Sequence, residues 1–161
     1  MRFSLKNIIM IILIGLFSCK NNSSSIRTQV YEKRCIERIN EKWNIDIPLN
    51  YEFKYNKDDR DGWVRDGFAY YVIQLNNTND FIDEFDKNKN SDFENNFYEY
   101  LDILNVDENY YLDFSNNYQW FYKGNYQNSF DNEWIGDNFL NDLFLVYLED
   151  TNLLFILEFL C

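Results

Sequence analysis

The 161-residue sequence contains no histidine, a single proline, and 15 basic residues against 27 acidic ones. Without histidine, the Ser-His-Asp and Cys-His catalytic arrangements and histidine-containing zinc sites are excluded. The proline is Pro48, and no Pro- or Gly-rich linker divides the chain, so we expect one folded domain over residues 26–161. The formal net charge of −12 disfavours binding to nucleic acid and favours a basic protein partner or a solvated acidic surface.

Long hydrophobic runs are also missing, and the longest one extends from Ile8 to Phe17. A run of that length is too short to cross a hydrocarbon layer about 30 Å thick. It follows Arg2 and Lys6, and this order of positive charge and short apolar run is typical of a signal peptide. The sequence therefore predicts export, and removal of residues 1–18 would change the net charge from −12 to −14, because it removes those two bases and no acid.

The run ends in Leu16-Phe17-Ser18-Cys19, which resembles the lipobox of bacterial lipoproteins. The resemblance implies thioether-linked diacylglycerol on Cys19, cleavage after Ser18, and acylation of the new amino terminus with a fatty acid such as palmitate. Several acyl chains give stable anchoring to a bilayer. Lys20 after the cysteine implies, by the same resemblance, the outer membrane of a Gram-negative cell envelope, with residues 19–25 as a flexible tether. The alternative is an ordinary secretory signal or an uncleaved anchor, with Cys19 at its edge by chance.

Hydrophobic periodicity predicts three helices. Ile26–Trp43 is amphipathic, with Tyr31, Cys35, Ile39 and Trp43 four residues apart and Ile36 beside them. Asp80–Lys87 has the pattern of a shorter helix. A third helix is predicted to begin at Ser91, which with Glu94 matches a capping box, and its apolar positions are Phe93, Phe97, Tyr100, Leu101 and Leu104.

Strands are predicted where β-branched and aromatic residues lie between turn residues. The stretch Trp63–Leu75, apolar at both odd and even positions from Phe68 onward, indicates a strand inside a sheet. The other predicted strands are Tyr51–Asn56, Tyr110–Phe114, Tyr118–Tyr122, Leu143–Leu148 and Leu153–Leu160. Polar connections pair them into three hairpins, of which the first has a wide loop. The sequence therefore predicts an α+β fold: a mostly antiparallel sheet of about five to six strands, with an N-terminal helix and two central helices packed on it.

Three cysteines are present, and two remain if Cys19 is lipidated: Cys35 and Cys161. In an oxidising envelope such a pair is a candidate disulfide joining the first helix to the last strand. The alternative is that Cys35 is a small apolar member of the helix stripe while Cys161 frays at the end of the chain.

The loop after the first strand is the candidate site for a protein partner, because it combines acids with arginine and tryptophan, which dominate interface energies. Its candidate residues are Asp58, Asp59, Arg60, Asp61, Trp63 and Arg65. An EF-hand calcium site is excluded, because the first ligand position would be Lys57 and the twelfth Phe68. No metal or cofactor is predicted. In the alternative interpretation, Trp63 packs over the rim of the sheet.

Residues Trp43–Pro48 and Asp66–Val72 resemble small uncharacterised bacterial proteins, some of which serve as immunity or envelope accessory factors. No functional residue is carried over from that resemblance. The leading hypothesis is a non-enzymatic envelope lipoprotein that binds another protein. The alternative is a small carbohydrate-binding or glycan-cleaving lipoprotein that uses aromatic platforms and a pair of carboxylates. A purely structural envelope component is the third.

Overall fold

The computed structural model describes residues 30–60, 67–77, 79–124 and 141–161. The chain divides into two units, Met1–Ile45 and Asp46–Cys161, and each is described by itself. In the first unit, the described part includes helix α1, residues 30–43. Residues 26–29 of the predicted helix lie outside the described ranges.

Helix α1 buries most of the predicted apolar stripe, namely Cys35, Ile36, Ile39 and Trp43. Tyr31, predicted on the same stripe, is instead 52% exposed. The helix ends before Asn44, whose φ of 48° places it in the left-handed region that asparagine tolerates. The predicted end of the helix is therefore confirmed.

The second unit contains a five-stranded antiparallel sheet with the strand order β1-β2-β5-β4-β3. Its strands are β1 (Tyr51–Asp58), β2 (Gly67–Leu75), β3 (Gln119–Gly124), β4 (Asn141–Leu148) and β5 (Leu153–Leu160). The last strand occupies the centre, between the β1–β2 hairpin and the β3–β4 pair. The predicted α+β class, the antiparallel sheet and the hairpins β1–β2 and β4–β5 are confirmed.

Burial along the strands explains this order. In β2, β4 and β5, consecutive residues are buried along most of each strand. A strand with apolar side chains on both faces has to be covered on both, so it belongs in the interior of a sheet. By contrast, every second residue of β1 is exposed from Glu52 to Asn56, which suits an edge strand. The prediction that the Phe68–Leu75 run lies inside the sheet is confirmed.

One central α-helix, α2 (Ser91–Leu104), packs on one face of the sheet. Its buried residues are Phe93, Phe97, Leu101 and Leu104, as the periodicity predicts. The predicted capping box is wrong by one position. Asn90 is the N-cap, and its side-chain oxygen accepts hydrogen bonds from the backbone N–H groups of Asp92 and Phe93, both at 3.1 Å.

The Asp80–Lys87 segment, predicted as a short helix, forms a 3-10 helix with the bounds Asn79–Glu84. One further prediction is wrong. The predicted strand Tyr110–Phe114 is not a strand: a 3-10 turn (Glu108–Tyr110) leads into irregular chain. The reason is local hydrogen bonding. The carboxylates of Asp107 and Asp113 accept bonds from backbone N–H groups two residues further on, which favours turns over extended chain.

Candidate functional site

The predicted partner-binding loop is described as far as Arg60, and Asp61, Trp63 and Arg65 lie outside the described ranges. Asp58 belongs to strand β1 rather than to the loop. Asp59 is exposed, and its carboxylate accepts a hydrogen bond from the backbone N–H of Phe68 at 2.6 Å. Arg60 follows, and its side chain is only 4% exposed. The role of the loop in partner binding stays a prediction.

Arg60 folds back over the sheet and joins two carboxylates, the partly buried Asp58 and the fully buried Glu158. Its guanidinium contacts Asp58 through two nitrogens, with Nε donating to Oδ1 at 2.7 Å, and it also pairs with Glu158. The Tyr71 hydroxyl accepts from Arg60 at 2.6 Å and donates to Asp58 at 2.9 Å. Glu158 is fully buried in β5. This buried ion network is a structural element rather than an open site.

Strand register explains why Arg60 can reach Glu158. Asp58, Ala69 and Glu158 lie opposite one another on the neighbouring strands β1, β2 and β5 and therefore share one face. Ala69, the middle residue, has only a methyl side chain, so the guanidinium can pass above it from one carboxylate to the other. A larger residue there would occupy the path of the arginine.

The charges of this network determine its pH dependence. Burial alone raises the pKa of Asp58, but the hydrogen bonds and charge of Arg60, together with the Tyr71 hydroxyl, lower it below 3.8. Because the pKa is lower in the folded state than in the unfolded one, Asp58 stabilises the fold at pH values above 3.8. That contribution is lost as the pH falls through the folded-state pKa.

The remaining predicted site residues are the cysteines. Cys19 lies outside the described ranges. Cys35 is buried and Cys161 is exposed, and both are free thiols in the structure. The disulfide between them stays a prediction.

An exposed acidic surface lies on the outer side of α2 and on the segment that follows it. We define the acidic face by Glu99, Asp102, Ile103, Asp107 and Glu108, all of which are exposed. Within the described ranges, none of these four acids forms an ion pair with a lysine or arginine. Ile103 is 57% exposed and is the apolar residue of this surface. The acidic face thus combines unpaired negative charge with an exposed aliphatic group.

Tyrosines hold the segment after α2 beside the helix. The Tyr111 hydroxyl donates to Asp102 at 2.8 Å, and the Tyr98 hydroxyl donates to the backbone carbonyl of Leu112 at 2.7 Å. The rings of Tyr55 and Tyr110 stack with centroids 4.3 Å apart. Burial, the hydrogen bond to Asp102 and the charges of Asp102 and Glu108 raise the pKa of Tyr111 to about 12. The carboxylates of Asp102 and Glu108 therefore act on this tyrosine together with its burial.

The sequence contains a signal for the acidic face that a search for catalytic motifs misses. From Asn90 to Cys161 the only basic residue is Lys123, so the excess of negative charge lies in that part of the chain. The buried network also has a signal, because Glu158 is the one charged residue in the apolar strand β5. Its partner could not be identified in this way, since Arg60 is distant in the sequence.

A second buried carboxyl, Asp142 near the start of β4, lies on the side of the sheet that α2 covers. The Tyr122 hydroxyl donates to its Oδ1 at 2.6 Å, and the Tyr100 hydroxyl lies 3.4 Å from its Oδ2. Burial raises the pKa of Asp142, against the lowering effect of the two tyrosine hydrogen bonds. The side chain is distinct from the acidic face, because it is nearly enclosed.

No family model, curated protein or solved structure matches this chain. Within the described ranges, no helix has the length and hydrophobicity needed to cross a bilayer. The same part of the chain holds no group of three or more Cys, Asp or Glu residues placed to bind a metal ion.

Proposed function

We propose that this protein is a lipoprotein of the bacterial cell envelope, anchored in the outer membrane through acylated Cys19, that binds a basic protein through its acidic face. The observation that carries the binding proposal is the acidic face itself, where Ile103 and four exposed acids lie together and the acids form no ion pair with any described lysine or arginine. An immunity or accessory role, in which the lipoprotein binds and holds one envelope protein, suits such a surface.

The proposed anchor is supported by the order of residues at the start of the chain. A positive segment, the short run Ile8–Phe17 and the small residue Ser18 precede Cys19. The polar residues 20–25 after the cysteine would separate the folded part from the bilayer. An anchored protein of this kind meets its partner at the membrane surface, where the tether limits the search to a thin layer.

The chemistry of the acidic face favours a partner that carries lysine or arginine around an apolar residue. Opposite charges steer the encounter and exclude acidic competitors, while most of the affinity comes from apolar and aromatic contacts near the centre of an interface. Ile103 is placed to make such a contact. The charges of Glu99 and Glu108 lie where they would set partner choice and association rate.

Capture from the solubilised envelope tests the proposal. We expect the lipidated protein to retain one basic protein at low salt and to lose it as salt rises, because exposed charges are screened beyond about 10 Å at 0.1 M. The double variant Glu99→Lys/Glu108→Lys should weaken binding about tenfold or more, since it replaces attraction by repulsion. Quantitative mass spectrometry of the captured material measures the loss.

The matched control is Asp83→Lys/Glu84→Lys, which makes the same change in net charge at exposed acids of the 3-10 helix. The neighbouring Phe85 packs on Phe121, which points away from α2, so this pair is remote from the acidic face. The control should bind like the unchanged protein. Equal loss in both variants, or no partner at low salt, would contradict the proposal.

A further inference from the structure

The proposed function does not use the buried carboxyl of Asp142 or the aromatic rings around it. Asp142 lies opposite Gly124 of β3 and Phe159 of β5, and Tyr100 approaches it from α2. Phe68, at the start of β2, stacks on Phe159 with ring centroids 4.6 Å apart. Four strands and the helix thus bring aromatic side chains around one carboxyl.

The carboxyl of Asp142 has unused hydrogen-bonding capacity. It is 7% exposed, and no lysine or arginine pairs with it in the part of the chain that the structure describes. Its Oδ1 has a close donor, the Tyr122 hydroxyl at 2.6 Å, whereas the Tyr100 hydroxyl at 3.4 Å is a weak donor to Oδ2. A carboxylate accepts about four hydrogen bonds, so these two donors do not use up its acceptor capacity.

The rings around this carboxyl are only half buried. Phe68, Tyr100, Tyr122 and Phe159 all have intermediate exposure. Tyr100 packs against Phe68 and Phe159 with centroids 5.3 and 5.8 Å apart, and Tyr122 lies 5.0 Å from Phe144. Aromatic faces carry partial negative charge and attract cations within about 6 Å of the ring centroid. A positive group that reaches Asp142 would meet these faces on its way.

Glycine at position 124 leaves room for the Tyr122 hydroxyl on the β3 side of the carboxyl. A Cβ there would lie 2.7 Å from Asp142 Oδ1 and would collide with the Tyr122 hydroxyl. The absence of a Cβ lets the tyrosine hydroxyl fold over its own strand onto the acid. The positions of Gly124, Tyr122 and Asp142 therefore depend on one another.

We infer that Asp142 and the aromatic rings around it form a binding site for an alkylammonium group, with the carboxylate as counter-ion and Tyr100 and Tyr122 as cation-binding walls. An ammonium nitrogen supplies three hydrogen-bond donors and a positive charge, which Asp142 lacks among its described neighbours. The group can belong to a lysine side chain of a protein or to a free amine. The inference goes beyond the proposed function and does not depend on the acidic face.

Titration of the full-length protein in a non-ionic detergent tests the site. The probe is N-acetyl-lysine N-methylamide, and its uncharged counterpart is N-acetyl-norleucine N-methylamide. We expect saturable binding of the lysine probe. The chemical shifts of Tyr100 and Tyr122 measure this binding. Asp142→Asn should weaken binding at least tenfold, while Asp113→Asn, at an exposed acid, should leave it unchanged.

The Asp142→Asn variant should fold, because the amide oxygen still accepts from Tyr122 and no charge has to be buried. Tyr100→Leu provides a second test, since it keeps the carboxylate and removes one cation-binding wall. It should also weaken binding of the lysine probe. Circular dichroism of each variant confirms that loss of binding is not loss of structure.

Competition identifies the source of the ammonium group. Displacement of the lysine probe by a lower concentration of spermidine indicates a free amine, and the reverse order indicates a lysine side chain. Equal binding of the norleucine probe, or unchanged binding by Asp142→Asn, would overturn the inference. Binding of a neutral disaccharide at this position without binding of the lysine probe would also overturn it, in favour of a glycan site.

Discussion

Replacing Arg60 by methionine is expected to lower the free energy of unfolding by about 3–5 kcal/mol, which is the usual cost of removing one partner from a buried ion network. Methionine approximates the aliphatic part of the arginine side chain but leaves Asp58 and the fully buried Glu158 without their shared cation. Equilibrium unfolding in urea, followed by circular dichroism, measures the change.

Lys54→Met is the matched control for that experiment. Lys54 is also in β1 and pairs with Glu52 at 2.9 Å, but the two side chains are 35% and 70% exposed. An exposed pair of this kind contributes about 0–1 kcal/mol. If Arg60→Met costs no more than Lys54→Met, Arg60 is not the cation that keeps two carboxylates in the sheet.

A double variant separates the charge from the packing. Arg60→Met/Glu158→Leu removes the buried negative charge together with its partner, and apolar replacements of complete ion pairs are often neutral or stabilising. Asp58, at 16% exposure, can then reach water more easily than Glu158. We expect the double variant to recover most of the stability that the single variant loses.

Replacing Phe97 by alanine is expected to have a similarly large effect, about 3–5 kcal/mol. Phe97 is fully buried, and its ring lies 5.6 Å from Phe114 and 6.2 Å from both Tyr70 and Phe144. Alanine would leave a cavity between α2 and the sheet that these stiff rings fill poorly. Thermal unfolding and urea unfolding both report the loss.

Ile103→Ala is the control on the same helix. Because Ile103 is 57% exposed, its truncation should change stability by no more than about 0.5 kcal/mol. The same variant should weaken capture of the basic partner, since Ile103 is the apolar residue of the acidic face. A large loss of stability in Ile103→Ala would show that this side of α2 is not free surface.

The sequence predicts the interior of the sheet well, because burial on both faces leaves a clear trace. Strands β2, β4 and β5 consist almost entirely of apolar and aromatic residues. The turn Glu149–Asn152 is polar, and Asn152 adopts the positive φ of 53° that such a turn requires. Hydrophobic pattern and turn chemistry agree there, so the last hairpin could be predicted.

The same reasoning fails for the segment Tyr110–Phe114. Its alternating hydrophobic pattern correctly predicts that Leu112 and Phe114 are buried. The chain buries them, however, without pairing to a neighbouring strand. Aromatic side chains are long enough to fill the core from irregular backbone. Side-chain periodicity reports which residues are buried and does not report where the backbone hydrogen bonds go.

The candidate sites, too, could be predicted only in part from the sequence. Composition indicates an acidic protein and the missing histidine excludes common catalytic arrangements, but neither shows that Arg60 is enclosed between Asp58 and Glu158. That contact depends on the order of strands and on the small residue at Ala69, which bring distant parts of the chain together. The acidic face is easier to predict than the Arg60 network, because its acids follow one another in sequence without an intervening base.

The central claim is that the protein acts at a membrane through fatty acids attached to Cys19. The most direct measurement is made on the protein extracted from the cell envelope. Mass spectrometry gives its intact mass, and fragmentation gives its N-terminal sequence. The account predicts a chain that begins at Cys19 and carries diacylglycerol and one amide-linked acyl group, while Cys19→Ala keeps residues 1–18 and gains no lipid. A chain from the envelope with an unmodified cysteine at position 19 would contradict the account.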